Sequence, residues 1–153
     1  MGIIIFYYLR CILEILLMSF SIFSFSRTKF DIRKFTKVFL FLFGTMLIIA
    51  NLPIEHSVQC ILNIILLFIA SYTIFKFDII FSVKYSVISI GVTMVSEAVG
   101  VGIIFLVARD VFEKAISSSI EVASFYTSPV LIIYIAIVFG YYFIAKKKGQ
   151  LSS

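Results

Sequence analysis

The sequence has few of the residues that enzymes use for chemistry. It contains one histidine, His56, and two cysteines, Cys11 and Cys60, which match no metal-binding or redox spacing. The pair Gly100 and Gly102 lacks the third glycine of a dinucleotide-binding loop, and no phosphate-binding or hydrolase motif is present. We therefore expect a chain that is not an enzyme and that holds no metal and no cofactor.

Charged residues are scarce, and tryptophan is absent. Asp, Glu, Lys and Arg make up 14% of the 153 residues, whereas soluble domains contain about 25%. Hydrophobic residues make up 62%, and the mean hydropathy is +1.17. This excess predicts a protein that lies in a lipid bilayer. The net charge of +5 comes from short basic clusters between apolar runs and not from one basic face, which argues against a nucleic-acid partner.

The apolar runs predict an all-α, polytopic membrane protein with about five transmembrane helices. The expected spans are residues 3–23, 35–52, 58–75, 81–107 and 125–145. Pro53 ends the second span because proline cannot continue the helical hydrogen bonds. Pro129 falls in the first turn of the fifth span, where proline is tolerated. Residues 109–124 have apolar side chains at helical spacing, which predicts an amphipathic helix at the membrane surface.

Basic residues predict the orientation of the chain. Ten of the thirteen Lys and Arg residues lie in the loop after the first span, the turn after the third, and the C-terminal end. These are alternate connectors, so five spans would place them on one side. The positive-inside rule then predicts an outer N-terminus and a cytoplasmic C-terminus. We expect a multi-pass protein of the cell membrane, with one transmembrane domain over 1–148 and a cytoplasmic tail over 149–153.

The fourth span, Phe81–Val107, has an unusual stripe of small residues. Its members recur every three or four positions and therefore share one helix face: Ser82, Ser86, Ser89, Thr93, Ser96 and Gly100. Small side chains let another helix approach closely, and hydroxyls can form hydrogen bonds across the contact. The stripe predicts a helix-packing seam.

Several polar residues are expected at membrane depth, where each is a candidate for a ligand contact or a contact between helices: Arg10, Glu14, Asn51, Asn63 and Glu97. Glu97 lies about 15 Å from the Val107 end by helical rise, and an acid at the bilayer centre costs about 3 kcal/mol. We therefore expect Glu97 to face protein or water.

Arg10 and Glu14 are spaced to pair on one helix face. Two interpretations are open for this pair. In the first, Arg10 extends to the nearer outer surface and Glu14 simply pairs with it. In the second, the pair makes a polar contact with another helix or a ligand.

A series of short segments carries a family resemblance: Ile12–Leu17 and the basic loop after it, Asn51-Leu52-Pro53, Val58–Leu67, Phe75-Lys76 and Ser96-Glu97. Their order resembles the N-terminal membrane region of bacterial sensor histidine kinases of the accessory-gene-regulator type, whose kinase half is a GHKL ATPase. The resemblance implies a module of a two-component system that forms a homodimer, senses an extracellular peptide signal and passes a conformational change to a cytoplasmic kinase. The phosphoacceptor and ATP-binding parts of that family are not found after Lys148.

Two other functions are compatible with the same residues. One is a small-solute-binding membrane subunit of an importer, in which Glu97, Asn63 and Glu14 line a pocket. The other is a structural or assembly protein in which the polar residues only hold helices together.

Overall fold

The computed structural model describes residues 2–50, 56–117 and 119–151. These residues are all-α, as expected, and they form α1 (Gly2–Ser26), α2 (Ile32–Ala50), α3 (His56–Thr73), α4 (Ile79–Val107), α5 (Arg109–Ser117), α6 (Ile120–Tyr126) and α7 (Pro129–Lys147). Five of these helices are long, and the short helices α5 and α6 connect α4 to α7.

Three helices are long and apolar enough to cross a membrane: Ile5–Ser26 within α1, Ile79–Val107 and Pro129–Lys147. Such helices are typical of an integral membrane protein. The apolar part of α3, Val58–Thr73, is shorter, and α2 carries three basic residues in its first two turns, Arg33, Lys34 and Lys37. Large apolar side chains also cover the outer surface of the bundle, as lipid contact requires; Ile80 and Leu106 are about 80% exposed.

The start of the last long helix differs from the expectation. The fifth span was expected from about Phe125, but that residue belongs to α6, and α7 begins at Pro129. Proline has no N–H to donate to the carbonyl four residues earlier, so the helix is interrupted there. Tight bonds of the i to i+3 kind, such as Val130 N to Thr127 O at 3.1 Å, form the turn instead.

The connector before α7 also differs in detail. One amphipathic helix was expected over residues 109–124, and the structure has two short helices, α5 and α6. They pack on each other, α5 also packs on α4, and α6 packs on α1. The connector therefore lies over one end of the bundle.

Helices α1 and α4 hold the bundle together. α1 contacts α2, α4, α6 and α7, and α4 contacts α1, α3, α5 and α7. The core of the bundle contains fully buried apolar side chains from the other four long helices, α1, α2, α3 and α7: Ile22, Phe23, Val38, Leu42, Leu67 and Val138. α1 and α7 run parallel, since Arg10 contacts Thr127 near their first turns and Arg27 contacts Tyr141 near their last. α4 runs antiparallel to both.

One end of the bundle collects positive charge. The Phe30 N–H donates to Tyr142 Oη at 3.1 Å, and the rings of Phe23 and Phe75 lie 4.7 Å apart. These contacts bring together the α1–α2 loop, the α3–α4 turn and the end of α7. We call this the basic end, because it carries Arg27, Lys29, Arg33, Lys34, Lys37, Lys76, Lys84, Lys146, Lys147 and Lys148.

α4 and α7 lie in close contact at Gly100, near the opposite end. A Cβ atom on Gly100 would lie 2.5 Å from Val130 Cγ2 and 3.0 Å from Val130 Cα. The second contact is with backbone, so it cannot be relieved by a side-chain rotation. Gly100 therefore sets the separation of the two helices at this level.

We predict that Gly100→Ala lowers the free energy of unfolding by about 1–3 kcal/mol, because the added methyl group forces α7 away from α4. Gly102→Ala is the matched control, since a Cβ there would meet nothing within 4 Å. The control should be neutral or slightly stabilising, as alanine favours helix. Denaturant titration of both variants in the same detergent measures the difference. Equal stability of the two would show that Gly100 is not at a close contact.

Candidate functional site

The small-residue seam of α4 lies inside the bundle. Ser82, Ser86, Ser89 and Ser96 are fully buried, Gly100 is buried, and Thr93 is partly buried. Several of these hydroxyls donate to the carbonyl one turn earlier in α4; Ser86 Oγ lies 2.7 Å from Ser82 O, and Ser96 Oγ lies 2.7 Å from Val92 O. Such local bonds satisfy a hydroxyl without water. The seam can therefore be buried in an apolar bundle.

Hydroxyls from three helices meet near the middle of the seam. Ser21 of α1 forms a short hydrogen bond with Ser89 of α4, and the hydroxyl of Tyr134 of α7 lies beside Ser21, Ser89 and Thr93. Tyr134 is only 2% exposed, and its hydroxyl makes no hydrogen bond of ordinary geometry within the described residues. We call these four residues the hydroxyl cluster. It places polar atoms where α1, α4 and α7 touch.

A second polar contact joins α1 to the α6–α7 turn. Arg10 Nε donates to Glu14 Oε1 at 2.8 Å, so the ion pair expected from the spacing is present. The Arg10 Nη1 atom also donates to Thr127 Oγ1 at 2.6 Å. A guanidinium presents donors in several directions, so it can bond to both residues at once. Arg10 thus ties the first helix to the start of the last one.

The Arg10–Glu14 pair is partly shielded from solvent. The Arg10 side chain is 11% exposed, and that of Glu14 is 34% exposed. Arg10 is therefore mostly buried, and it contacts a second helix segment as well as Glu14. Thr127, which accepts from Arg10, lies in the turn before Pro129.

Glu97 lies on the exposed side of α4 and not in the seam, although Ser96 beside it is buried. Successive residues of a helix point about 100° apart, so one position separates the two faces. The apolar residues Met94, Val95 and Val99 are exposed around it.

Of the two candidate asparagines, the structure describes only Asn63. Asn51 lies outside the described residues, as does most of the connector that precedes α3. Asn63 lies on α3, and its buried Oδ1 atom has no hydrogen-bond partner among the described residues. An unbonded buried oxygen is uncommon and marks a place where a water molecule or a ligand donor could bind.

Sequence reasoning missed three residues of these polar contacts: Ser21, Thr127 and Tyr134. The first belongs to a short hydroxyl-rich run in α1, Ser19, Ser21 and Ser24, which are all fully buried. The members of that run are two and three residues apart, unlike the three-and-four spacing of the α4 seam, so the sequence pattern did not indicate a second packing face. A lone threonine and a lone tyrosine carry no such signal.

The polar groups of this site make hydrogen bonds between helices and one ion pair within α1. Among the described residues, no three His, Cys, Asp or Glu side chains lie close enough together to hold a metal ion. The polar groups are hydroxyls and one ion pair, which can rearrange their hydrogen bonds when helices move. Comparison with protein-family models, curated proteins and solved structures gives no match to this chain.

Proposed function

We propose that this chain is a membrane-embedded signal-sensing module. In this proposal it crosses the cell membrane five times, with its N-terminus outside and its C-terminus in the cytoplasm. The observation that carries the proposal is the Arg10 contact with Thr127, because it links the connector helices α5 and α6 to the two parallel helices α1 and α7. A signal that moves the connector would therefore act on both helices.

Charge supports the orientation. The basic end collects ten of the thirteen Lys and Arg residues, and the positive-inside rule favours the cytoplasm for such an end. α2 and α3 complete the five spans, since α3 with 18 residues is about 27 Å long, close to the 30 Å hydrocarbon core. α5 and α6 then lie outside the cell.

The orientation can be tested with single cysteines in a background where Cys11 and Cys60 are replaced by alanine. A membrane-impermeant maleimide added to intact cells should label His56→Cys and should miss Lys147→Cys. After the cells are broken open, both positions should react. The reverse pattern in intact cells would overturn the orientation, and labelling of both would show that the number of spans is not five.

The route from the connector to the cytoplasm follows described contacts. α6 packs on α1, and Arg10 holds the turn that begins α7. Below it, the hydroxyl cluster joins α1, α4 and α7. At the basic end, both Nε and Nη2 of Arg27 donate to Tyr141 Oη, at 3.1 and 3.0 Å. A shift of one or two ångströms in α7 would repack each of these contacts in turn.

The proposed partners are those that the family resemblance implies. An extracellular peptide would meet the connectors 53–57 and 109–124, and a cytoplasmic GHKL-type kinase would receive the movement of α7. The α4 seam is already buried within the chain, so a homodimer would form through another face. The exposed apolar side of α4, which includes Met94, Val95 and Val99, is the face we propose for it.

Thr127→Val tests the coupling. It removes the acceptor for Arg10 and leaves the Arg10–Glu14 ion pair intact. Thr73→Val is the matched control, because that hydroxyl donates only to Ile69 O, at 2.7 Å, on the exposed side of α3. Spin labels at Lys29→Cys and Lys147→Cys, diluted with unlabelled chain in nanodiscs, report the distance between the α1–α2 loop and the end of α7.

We expect the label distance to shift or broaden by about 1–2 Å in Thr127→Val and to stay unchanged in Thr73→Val. The reason is that the outer contact fixes the position of α7 relative to α1. An unchanged distance in a folded Thr127→Val variant would contradict the coupling and leave only a structural role for Arg10.

The importer subunit remains the alternative, and the unbonded Asn63 oxygen is the observation that favours it. However, neither the groove at the α3–α4 turn nor the groove between α1 and α7 is lined by Asn63, Glu14 or Glu97. The neighbouring reading frame separates the two functions: a GHKL kinase fragment or a response regulator supports the sensor, and ATPase importer subunits support the alternative.

A further inference from the structure

An apolar groove runs between α1 and α7 toward the basic end. Its volume is about 580 Å³, and the start of α2 and the α1–α2 loop close one side of it. Its walls include Leu13, Phe20, Phe30, Ile135 and Phe139, and Lys146 lies at its end. The rings of Phe20 and Phe139 stack with their centroids 4.5 Å apart, which gives the groove a rigid wall.

Polar groups occur only at the basic end of this lining. The Tyr142 hydroxyl accepts the Phe30 N–H at 3.1 Å, so it already has a partner inside the protein. The Lys146 ammonium is exposed and is the charged group of the lining. The groove is thus apolar along its length and cationic at one end.

The length of the groove matches one leaflet of a bilayer. From Ile135 to Lys146 is eleven residues of helix, or about 16 Å. Half of the hydrocarbon core is about 15 Å. When Lys146 lies at the level of the lipid headgroups, Ile135 therefore lies near the middle of the membrane, and the groove has the depth of one acyl chain.

The positive charge of the basic end determines which lipid headgroup the groove would bind. Lys146 belongs to the basic end, which carries ten cationic side chains and two acidic ones, Asp31 and Asp78. Basic pockets between transmembrane helices bind anionic headgroups. We propose that the groove between α1 and α7 binds one anionic phospholipid, with its acyl chain against Phe20 and Phe139 and its phosphate on Lys146. The proposal requires membrane insertion and does not depend on the sensing role.

The absence of tryptophan gives a direct test with the full chain. Phe143→Trp places a single tryptophan in the groove lining, and Ile144→Trp places one on an exposed position outside it. Both variants are studied in phosphatidylcholine vesicles that contain a small fraction of brominated phosphatidylglycerol or brominated phosphatidylcholine, since bromine quenches tryptophan only at close range. Circular dichroism checks that both variants are folded.

We expect brominated phosphatidylglycerol to quench Phe143→Trp at least fivefold more efficiently than brominated phosphatidylcholine. Ile144→Trp should be quenched equally by the two lipids. Adding Lys146→Gln to Phe143→Trp should reduce quenching by brominated phosphatidylglycerol about fivefold. This is the factor expected for the loss of one cation near the membrane surface. Lys148→Gln, which lies outside the lining, should weaken it less than twofold.

Three results would overturn the proposal. The first is equal quenching of Phe143→Trp by both lipids, which would show an apolar surface without headgroup selection. The second is an equal effect of Lys146→Gln and Lys148→Gln, which would show only a diffuse attraction to the membrane surface. The third is less quenching at Phe143→Trp than at Ile144→Trp by both lipids, which would show that protein, such as a second copy of the chain, covers the groove.

Discussion

The close packing of α4 against α1 and α7 is the constraint on which the rest of the structure depends. In lipid, helices gain little by hiding apolar surface, because lipid is as apolar as the side chains, so close packing and hydrogen bonds must hold them together. The α4 seam supplies both. Gly100 lets the α7 backbone approach, and Ser89 bonds to Ser21 of α1. α3 and α5 then pack on α4, and α2 and α6 pack on α1.

Hydroxyl side chains suit close helix packing because their burial costs little free energy. A serine or threonine in a helix can donate to a carbonyl of its own helix, as Ser86 does, so it is satisfied even when its neighbour moves. A bond to another helix can then be exchanged for a local one. The hydroxyl cluster therefore holds three helices together through hydrogen bonds that can be exchanged.

Ion pairs inside the bundle differ from those on its surface. Arg10 and Glu14 lie inside it and bond to each other and to Thr127, so each charge has a partner. Arg109 and Glu113 of α5 have the same spacing and also pair, at 3.2 Å, but their side chains are 75% and 65% exposed. The exposed pair is worth little because water and salt screen it. The inner pair orients a turn, and its loss would leave a charge in an apolar environment.

Much of the fold could be predicted because its signals are local. The all-α class, the approximate helices and the Arg10–Glu14 pair follow from apolar runs and from the period of a helix. The seam could be predicted because six small residues recur along one face of the α4 helix. What could not be predicted depends on how faces meet: the contact of Arg10 with Thr127 crosses more than a hundred residues of chain, and the exposure of Glu97 depends on one position of helix rotation.

A disulfide between the two contacting serines tests the central claim most directly. With Cys11 and Cys60 replaced by alanine, Ser21→Cys and Ser89→Cys are combined, and oxidation in membranes is followed by electrophoresis. Packing of α4 on α1 predicts rapid formation of a bond within one chain, and none when Ser89→Cys is replaced by Gly91→Cys, which is two positions along and on another face of α4. Failure of the first pair to form that bond, or formation of dimers in its place, would contradict the account.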